Sequence, residues 1–114
     1  MKIRNLTQNT VLALEAKTAD TSLSRMTGLL NRSSLGDHEA LIITHCQSIH
    51  MLFMRFAIDV IFVDRTDRVV GLVEGIKPYR LSPIFFKAHY AVEVKEGVIK
   101  NSKTQLGDQL ALAG

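Results

Sequence analysis

One long apolar run constrains the fold of this chain more than any other feature of its sequence. Between Ile49 and Val63 every residue is apolar except His50, Arg55 and Asp59. Such a run is too apolar for a surface loop, and charges inside it are costly to bury without partners. It is also too short, and too charged, to be a transmembrane helix. The run therefore predicts buried structure that carries a few charged side chains.

The patterns on either side of this run predict a mainly β fold. A polar loop, DRTDR, separates the β-rich runs IDVIFV and VVGLVEG, which indicates a hairpin. Further strands are predicted at residues 10–18, 40–44 and 88–95, with a last strand, QLALA, after the turn at Gly107 and Asp108. Helical spacing of apolar residues predicts one amphipathic helix over 23–32, and 98–105 suits a short helical turn. We expect an antiparallel barrel or sandwich with that helix and short helical turns.

Composition narrows the class of protein. A chain of 114 residues predicts a single domain over residues 1–114. The formal charge of +3 comes from scattered lysines and arginines, which favours neither nucleic acid nor a membrane as partner. The single cysteine excludes an intramolecular disulfide, and no apolar segment of signal-peptide length follows Met1. We therefore expect a cytoplasmic protein, either a monomer or a weak homodimer.

Several motifs resemble the domain-of-unknown-function 192 family of small prokaryotic proteins. The matching positions, in chain order, are Arg25-x-x-Gly28-Leu29-Leu30-x-Arg32, Ser48-Ile49-His50-Met51, Phe53-Met54-x-Phe56-x-Ile58-Asp59-Val60-x-Phe62, Pro78-x-Arg80, Ala91 to Glu93, Gly97 and Gly107-Asp108. The family usually has proline before the Ile-Asp pair, where this chain has Ala57. The resemblance implies a compact, largely β domain and carries no mechanism, since the family's biochemical role is not settled.

The residue types around the apolar run suggest a binding site. His50, Arg55 and Asp59 lie within the run, and Arg25 and Arg80 belong to the family motifs. Several arginines beside apolar walls suit an anionic or hydroxylated small ligand, or a peptide. Our leading interpretation is a non-catalytic binding domain whose pocket these five residues border. The sequence indicates no particular cofactor or metal.

Three alternatives remain open at this stage. His50 and Asp59, with or without Cys46, could perform acid-base or metal-assisted hydrolysis if the fold brings them together. Asp59 could instead be structural, accepting hydrogen bonds from Arg25, Arg80 or backbone amides. The Met and Phe side chains between Met51 and Phe56 could form an exposed interaction surface, although such clusters usually belong to a core.

Overall fold

Eight strands and one short helix are defined in the computed structural model, which describes residues 1–19, 35–49, 51 and 55–114. The elements, in chain order, are β1 (Lys2–Asn5), β2 (Thr10–Ala13), β3 (Glu15–Ala19), β4 (Glu39–Thr44), β5 (Ile58–Val63), β6 (Val69–Ile76), β7 (Tyr90–Lys95), α1 (Val98–Asn101) and β8 (Leu110–Ala113). The fold is mainly β, as predicted. The predicted helix over 23–32 lies outside the described residues.

A three-stranded antiparallel sheet joins the two ends of the chain. Its order is β2-β1-β8, with Lys2 opposite Ala113 and Asn5 opposite Leu110. The sequence analysis did not predict β1, because Asn5 occupies one of its two inward positions and hides the apolar alternation. Both Ile3 and Asn5 are fully buried, whereas Lys2 and Arg4 are exposed.

Asp108 anchors this sheet to the turn that precedes β8. Its carboxylate accepts hydrogen bonds from Asn5 Nδ2 at 2.9 Å, from the Gln105 backbone N–H at 2.9 Å and from Gln8 Nε2 at 3.1 Å. Burial alone would raise the pKa of Asp108, but these bonds together hold it below the usual value for an aspartate. The charged form of Asp108 therefore stabilises the fold.

The second sheet has five strands in the order β3-β4-β7-β5-β6. The predicted hairpin is confirmed as β5 and β6, joined by residues 64–68, and among the described strands only β3 and β4 pair in parallel. Residues 10–18 form two strands rather than the single one predicted. The chain changes sheet at Leu14, where the backbone amides of Leu14 and Glu15 both donate to His38 O at 2.9 Å.

Apolar side chains cover both faces of the five-stranded sheet, which explains the length of the apolar run. On one face, Ile61 and Val63 pack with Ile3, Leu12 and Leu110 between the two sheets. On the other face, Val60 and Phe62 pack with Leu41, Ile49 and Met51. All six residues of β5 are buried.

The predicted sandwich is the better description of the fold, since the two sheets do not close into one barrel over the described residues. None of the helices in the described part of the chain is long and apolar enough to cross a membrane.

Candidate functional site

Asp59, the charged residue inside β5, is fully engaged by backbone amides. It is 1% exposed, and its Oδ1 accepts a hydrogen bond from the Gly75 N–H at 2.8 Å. Its Oδ2 accepts bonds from Gly97 N and Ile99 N, both at 3.0 Å. The first turn of α1 has no side-chain cap of its own, so Asp59 supplies the acceptor for these N–H groups. Asp59 thus fixes α1 and the end of β6 against β5, the arrangement that the structural interpretation describes.

Two further residues of the sequence-predicted site, Arg55 and Arg80, lie in the described part of the chain. Arg55 and Arg80 are both exposed, and in the part of the chain that the structure describes no ion pair joins either of them to Asp59. Arg25 and His50 lie outside the described residues, so their roles as ligand-binding residues stay predictions.

The structure describes Cys46 and two members of the Met and Phe cluster, Met51 and Phe56. Cys46 is half-buried, and its thiol donates to Ser48 O at 3.1 Å. Its participation in hydrolysis stays a prediction. Met51 is fully buried and Phe56 is half-buried against the same core, so these two members of the Met and Phe cluster belong to the core. Phe53 and Met54 lie outside the described residues.

A groove of about 580 Å³ lies at one end of the five-stranded sheet. Three segments border it: the chain just after β4, the turn between β5 and β6, and the loop before β7. Its lining residues are His45, Gln47, Asp64, Arg65, Thr66, Phe86, Lys87, Ala88 and His89. Because these segments are far apart in the sequence, only the fold brings their polar side chains together.

Two histidines meet in this groove. The rings of His45 and His89 are packed edge to face, with their centroids 5.0 Å apart. The backbone holds both residues, since Cys46 N donates to His89 O at 3.1 Å and His89 N donates to Val63 O at 2.7 Å. His45 adopts a φ of 52°, in the left-handed region that non-glycine residues seldom occupy. Such strain persists only where the surroundings impose it, and here it accompanies the ring contact.

The turn between β5 and β6 places Arg65 at the groove. Asp64 Oδ1 accepts hydrogen bonds from Thr66 N at 2.9 Å, Thr66 Oγ1 at 2.8 Å and Arg68 N at 3.0 Å. Burial would raise the pKa of Asp64, but the bonds from Arg68 and Thr66 outweigh it and hold the pKa below its usual value. The carboxylate is thus ionised and committed to closing the turn.

The charges that line the groove favour an anion. Arg65 and Lys87 contribute two basic side chains, and His45 and His89 each have an N–H to donate in any tautomer. Asp64 is the single carboxylate among the lining residues, and three donors already satisfy its Oδ1. Among the described residues, no group of three His, Cys, Asp or Glu side chains is arranged to hold a metal ion.

The sequence alone did not predict the groove that contains His45 and His89. It favoured His50 over His45 and His89, because only His50 lies in a family motif. The available signal was the lack of any Asp or Glu between Glu39 and Asp59 and between Glu74 and Glu93. Both histidines lie in these acid-free stretches, but nothing in the sequence shows that the stretches meet.

The fold and the groove define a small two-sheet β protein with a polar groove at one sheet end. The chain belongs to the DUF192 family, described as uncharacterized ACR, whose model matches residues 3–112. It is 32% identical over 111 residues to a UPF0127 protein of Pyrococcus furiosus, covering 93% of each chain. It is 33% identical over 110 residues to a UPF0127 protein of Thermococcus sibiricus, covering 93% of this chain and 71% of the relative. The family expected from the motifs is therefore confirmed, and no function is established for it.

Two crystal structures share the fold. A protein of unknown function from Novosphingobium aromaticivorans superimposes with a TM-score of 0.80 at 21% identity, covering 97% of this chain and 82% of the other. A putative transcription regulator from Sinorhizobium meliloti also has a TM-score of 0.80, at 15% identity, covering 96% of this chain and 89% of the other. At these identities the likeness concerns the fold alone.

Proposed function

We propose that this protein is a non-catalytic binding domain for an anionic small ligand, which binds in the groove that His45, Arg65, Lys87 and His89 line. The observation that carries the proposal is the convergence of Arg65, Lys87 and the two imidazoles on one groove of about 580 Å³. That volume falls within the range of small-molecule sites, roughly 300 to 1,000 Å³. The sequence predicts an anionic or hydroxylated small ligand, or a peptide; the proposal narrows this class to an anionic small ligand and assigns it to different residues.

The chemistry of the lining residues narrows the ligand. A guanidinium binds carboxylate or phosphate oxygens through two parallel N–H bonds, whereas an ammonium contributes a compact charge. The imidazole N–H groups of His45 and His89 add directional donors. The exposed ring of Phe86 provides an apolar wall at the edge of the groove. A ligand with a carboxylate or phosphate group and a small apolar part matches this set.

The proposal includes a cytoplasmic location and a monomeric or weakly dimeric chain. A fold with one free cysteine needs no oxidising compartment. The groove is built from one chain, so ligand binding requires no second copy.

Isothermal titration calorimetry with inorganic pyrophosphate and with citrate tests the proposal. Removing one charged hydrogen-bond partner costs about 1.5 to 3 kcal/mol, so Arg65→Gln and Lys87→Gln should each weaken binding roughly 10- to 100-fold. The matched control is Lys100→Gln, which removes the same charge from the exposed side of α1, outside the groove.

Two outcomes would overturn the proposal. If neither anion binds wild-type protein, or if Lys100→Gln weakens binding as much as Arg65→Gln, the anion is attracted by net charge alone and the groove is not its site.

A further inference from the structure

The loop between β6 and β7 exposes an unusual concentration of apolar side chains. We call residues 77–89 the basic apolar loop. Within it Tyr79 is 72% exposed, Leu81 72%, Ile84 57% and Phe86 79%. Single exposed apolar residues are normal on a protein surface, but large ones concentrated in one segment mark an interaction site. Here four of them fall within eight consecutive residues.

These side chains project from a backbone that is held in place. The loop runs antiparallel to the chain after β4: Ser82 N donates to Ile49 O at 2.9 Å, and Phe85 N donates to Gln47 O at 2.8 Å. The Ser82 hydroxyl also accepts a bond from Ile49 N at 2.8 Å. The apolar side chains are therefore exposed on a segment whose backbone is held by hydrogen bonds.

Phe85 is the apolar anchor of this loop. Its ring lies over Gly71, where any Cβ would come within 2.4 Å of it, and its centroid is 4.5 Å from that of Phe62 in β5. The next residue, Phe86, points outward. Two adjacent phenylalanines thus divide the roles of holding the loop and presenting an apolar surface.

The charged residues of this loop are all basic. The loop contains Lys77, Arg80 and Lys87 and no Asp or Glu. Its backbone partners Gln47, Ile49 and Met51 are uncharged, and the exposed Arg55 follows them in the chain. Apolar side chains in a segment whose charged residues are all cations match a partner that is apolar inside and anionic at its surface.

We propose that the basic apolar loop inserts into the surface of a bilayer that contains anionic lipids. Tyr, Leu, Ile and Phe side chains enter the boundary between headgroups and acyl chains, while lysine and arginine stay at the lipid phosphates. Exposed aromatic and aliphatic side chains suit a bilayer, which deforms around them, better than a peptide, which needs a groove or a sheet edge. A second copy of the chain is disfavoured, because it would bring the same cations face to face.

Phe86 and Lys87 belong both to this loop and to the groove of the proposed function, but Tyr79, Leu81 and Ile84 do not line the groove, so variants of these three residues test the inference separately. The loop would attach the protein to a membrane without crossing it. Attachment through one loop is weak and reversible, and each cation near the lipid contributes about 1 kcal/mol, or roughly a fivefold change in partitioning.

Tryptophan fluorescence provides the test, because the natural chain contains no tryptophan. The Leu81→Trp variant places a single probe in the loop, and Leu106→Trp is the matched control at a side chain that is 66% exposed in the turn before β8. Vesicles of phosphatidylcholine mixed with an equal part of phosphatidylglycerol should shift the Leu81→Trp emission to the blue and leave the Leu106→Trp emission unchanged. Vesicles of phosphatidylcholine alone should bind much less.

Vesicle sedimentation of the otherwise natural chain completes the test. Ile84→Ser and Arg80→Gln should each lower the bound fraction, with the partition coefficient reduced roughly fivefold, whereas Leu106→Ser should leave it within twofold. Circular dichroism confirms that each variant is folded. The inference is overturned if wild-type protein does not sediment with anionic vesicles, or if the two tryptophan probes respond alike. It is also overturned if Ile84→Ser instead dissociates a dimer or abolishes binding to a protein or nucleic acid.

Discussion

Replacing Asp59 by asparagine should destabilise the fold far more than its small change in size suggests. The carboxylate accepts three backbone N–H bonds, one at Oδ1 and two at Oδ2. Asparagine has one oxygen, so its best orientation keeps the bonds from Gly97 and Ile99 and turns its NH₂ group toward the Gly75 N–H. That orientation leaves two donors facing each other inside the protein.

The magnitude follows from the individual bonds. Losing one bond to a charged acceptor costs about 1.5 to 3 kcal/mol, and reducing the other two from charged to neutral costs about 0.5 to 1 kcal/mol each. The sum is roughly 2.5 to 5 kcal/mol. A domain of this size is stable by about 5 to 15 kcal/mol, so the variant should remain folded with a much smaller margin.

Urea unfolding followed by circular dichroism measures this change. The urea concentration at the midpoint of unfolding should be lower for Asp59→Asn than for the natural chain. The m-value should stay constant, since the surface exposed on unfolding does not change. Glu74→Gln is the matched control, because it also removes a negative charge but lies exposed on β6. A loss of less than about 1 kcal/mol in Asp59→Asn would refute the reasoning, since the three backbone bonds could not then depend on the carboxylate.

Three further predictions concern the stability of the same fold. Gly71→Ala should push Phe85 off the sheet and lower the free energy of unfolding by about 1 to 3 kcal/mol, as measured in urea, whereas a change near zero would mean that the ring moves aside freely. The lowered pKa of Asp108 means that its ionised form stabilises the protein fully above its unfolded pKa, about 3.9, and that this contribution is lost as the pH falls through the lower folded pKa. Asp108→Asn should therefore flatten the decline in stability below pH 4, and an unchanged acid profile would contradict this assignment. Tyr90→Phe removes the hydroxyl that donates to Asp67 Oδ1 at 2.9 Å and should cost about 1 kcal/mol in thermal unfolding, and no measurable loss would show that the bond contributes nothing.

The hairpin of β5 and β6 is predictable from the sequence because two independent signals agree there. Apolar β-branched runs marked β5 and β6, and the polar residues 64–68 marked the turn. Strand β1 shows no apolar alternation, since its second buried residue is the polar Asn5. The hydrogen-bond partners of Asn5, Thr104 and Asp108, lie near the opposite end of the chain. The division of residues 10–18 was equally hidden, because the exchange of sheets at Leu14 depends on His38 in a separate segment.

The candidate site was less predictable than the fold for a physical reason. A pattern of residue types showed that Asp59 needs partners, but backbone amides leave no mark in a sequence, so their identity could not be foreseen. The groove residues His45, Arg65 and His89 are ordinary surface residues when considered singly. Their significance arises only from the register of the strands that bring the three segments together.

The measurement that tests the central claim most directly is an NMR titration of the four histidine rings with inorganic pyrophosphate. Binding in the groove predicts that the ring signals of His45 and His89 shift together and saturate with one affinity, while that of His38 stays unchanged. A saturable shift of His50 without His45 and His89 would contradict the account and return the site to the residues that the family motif suggests.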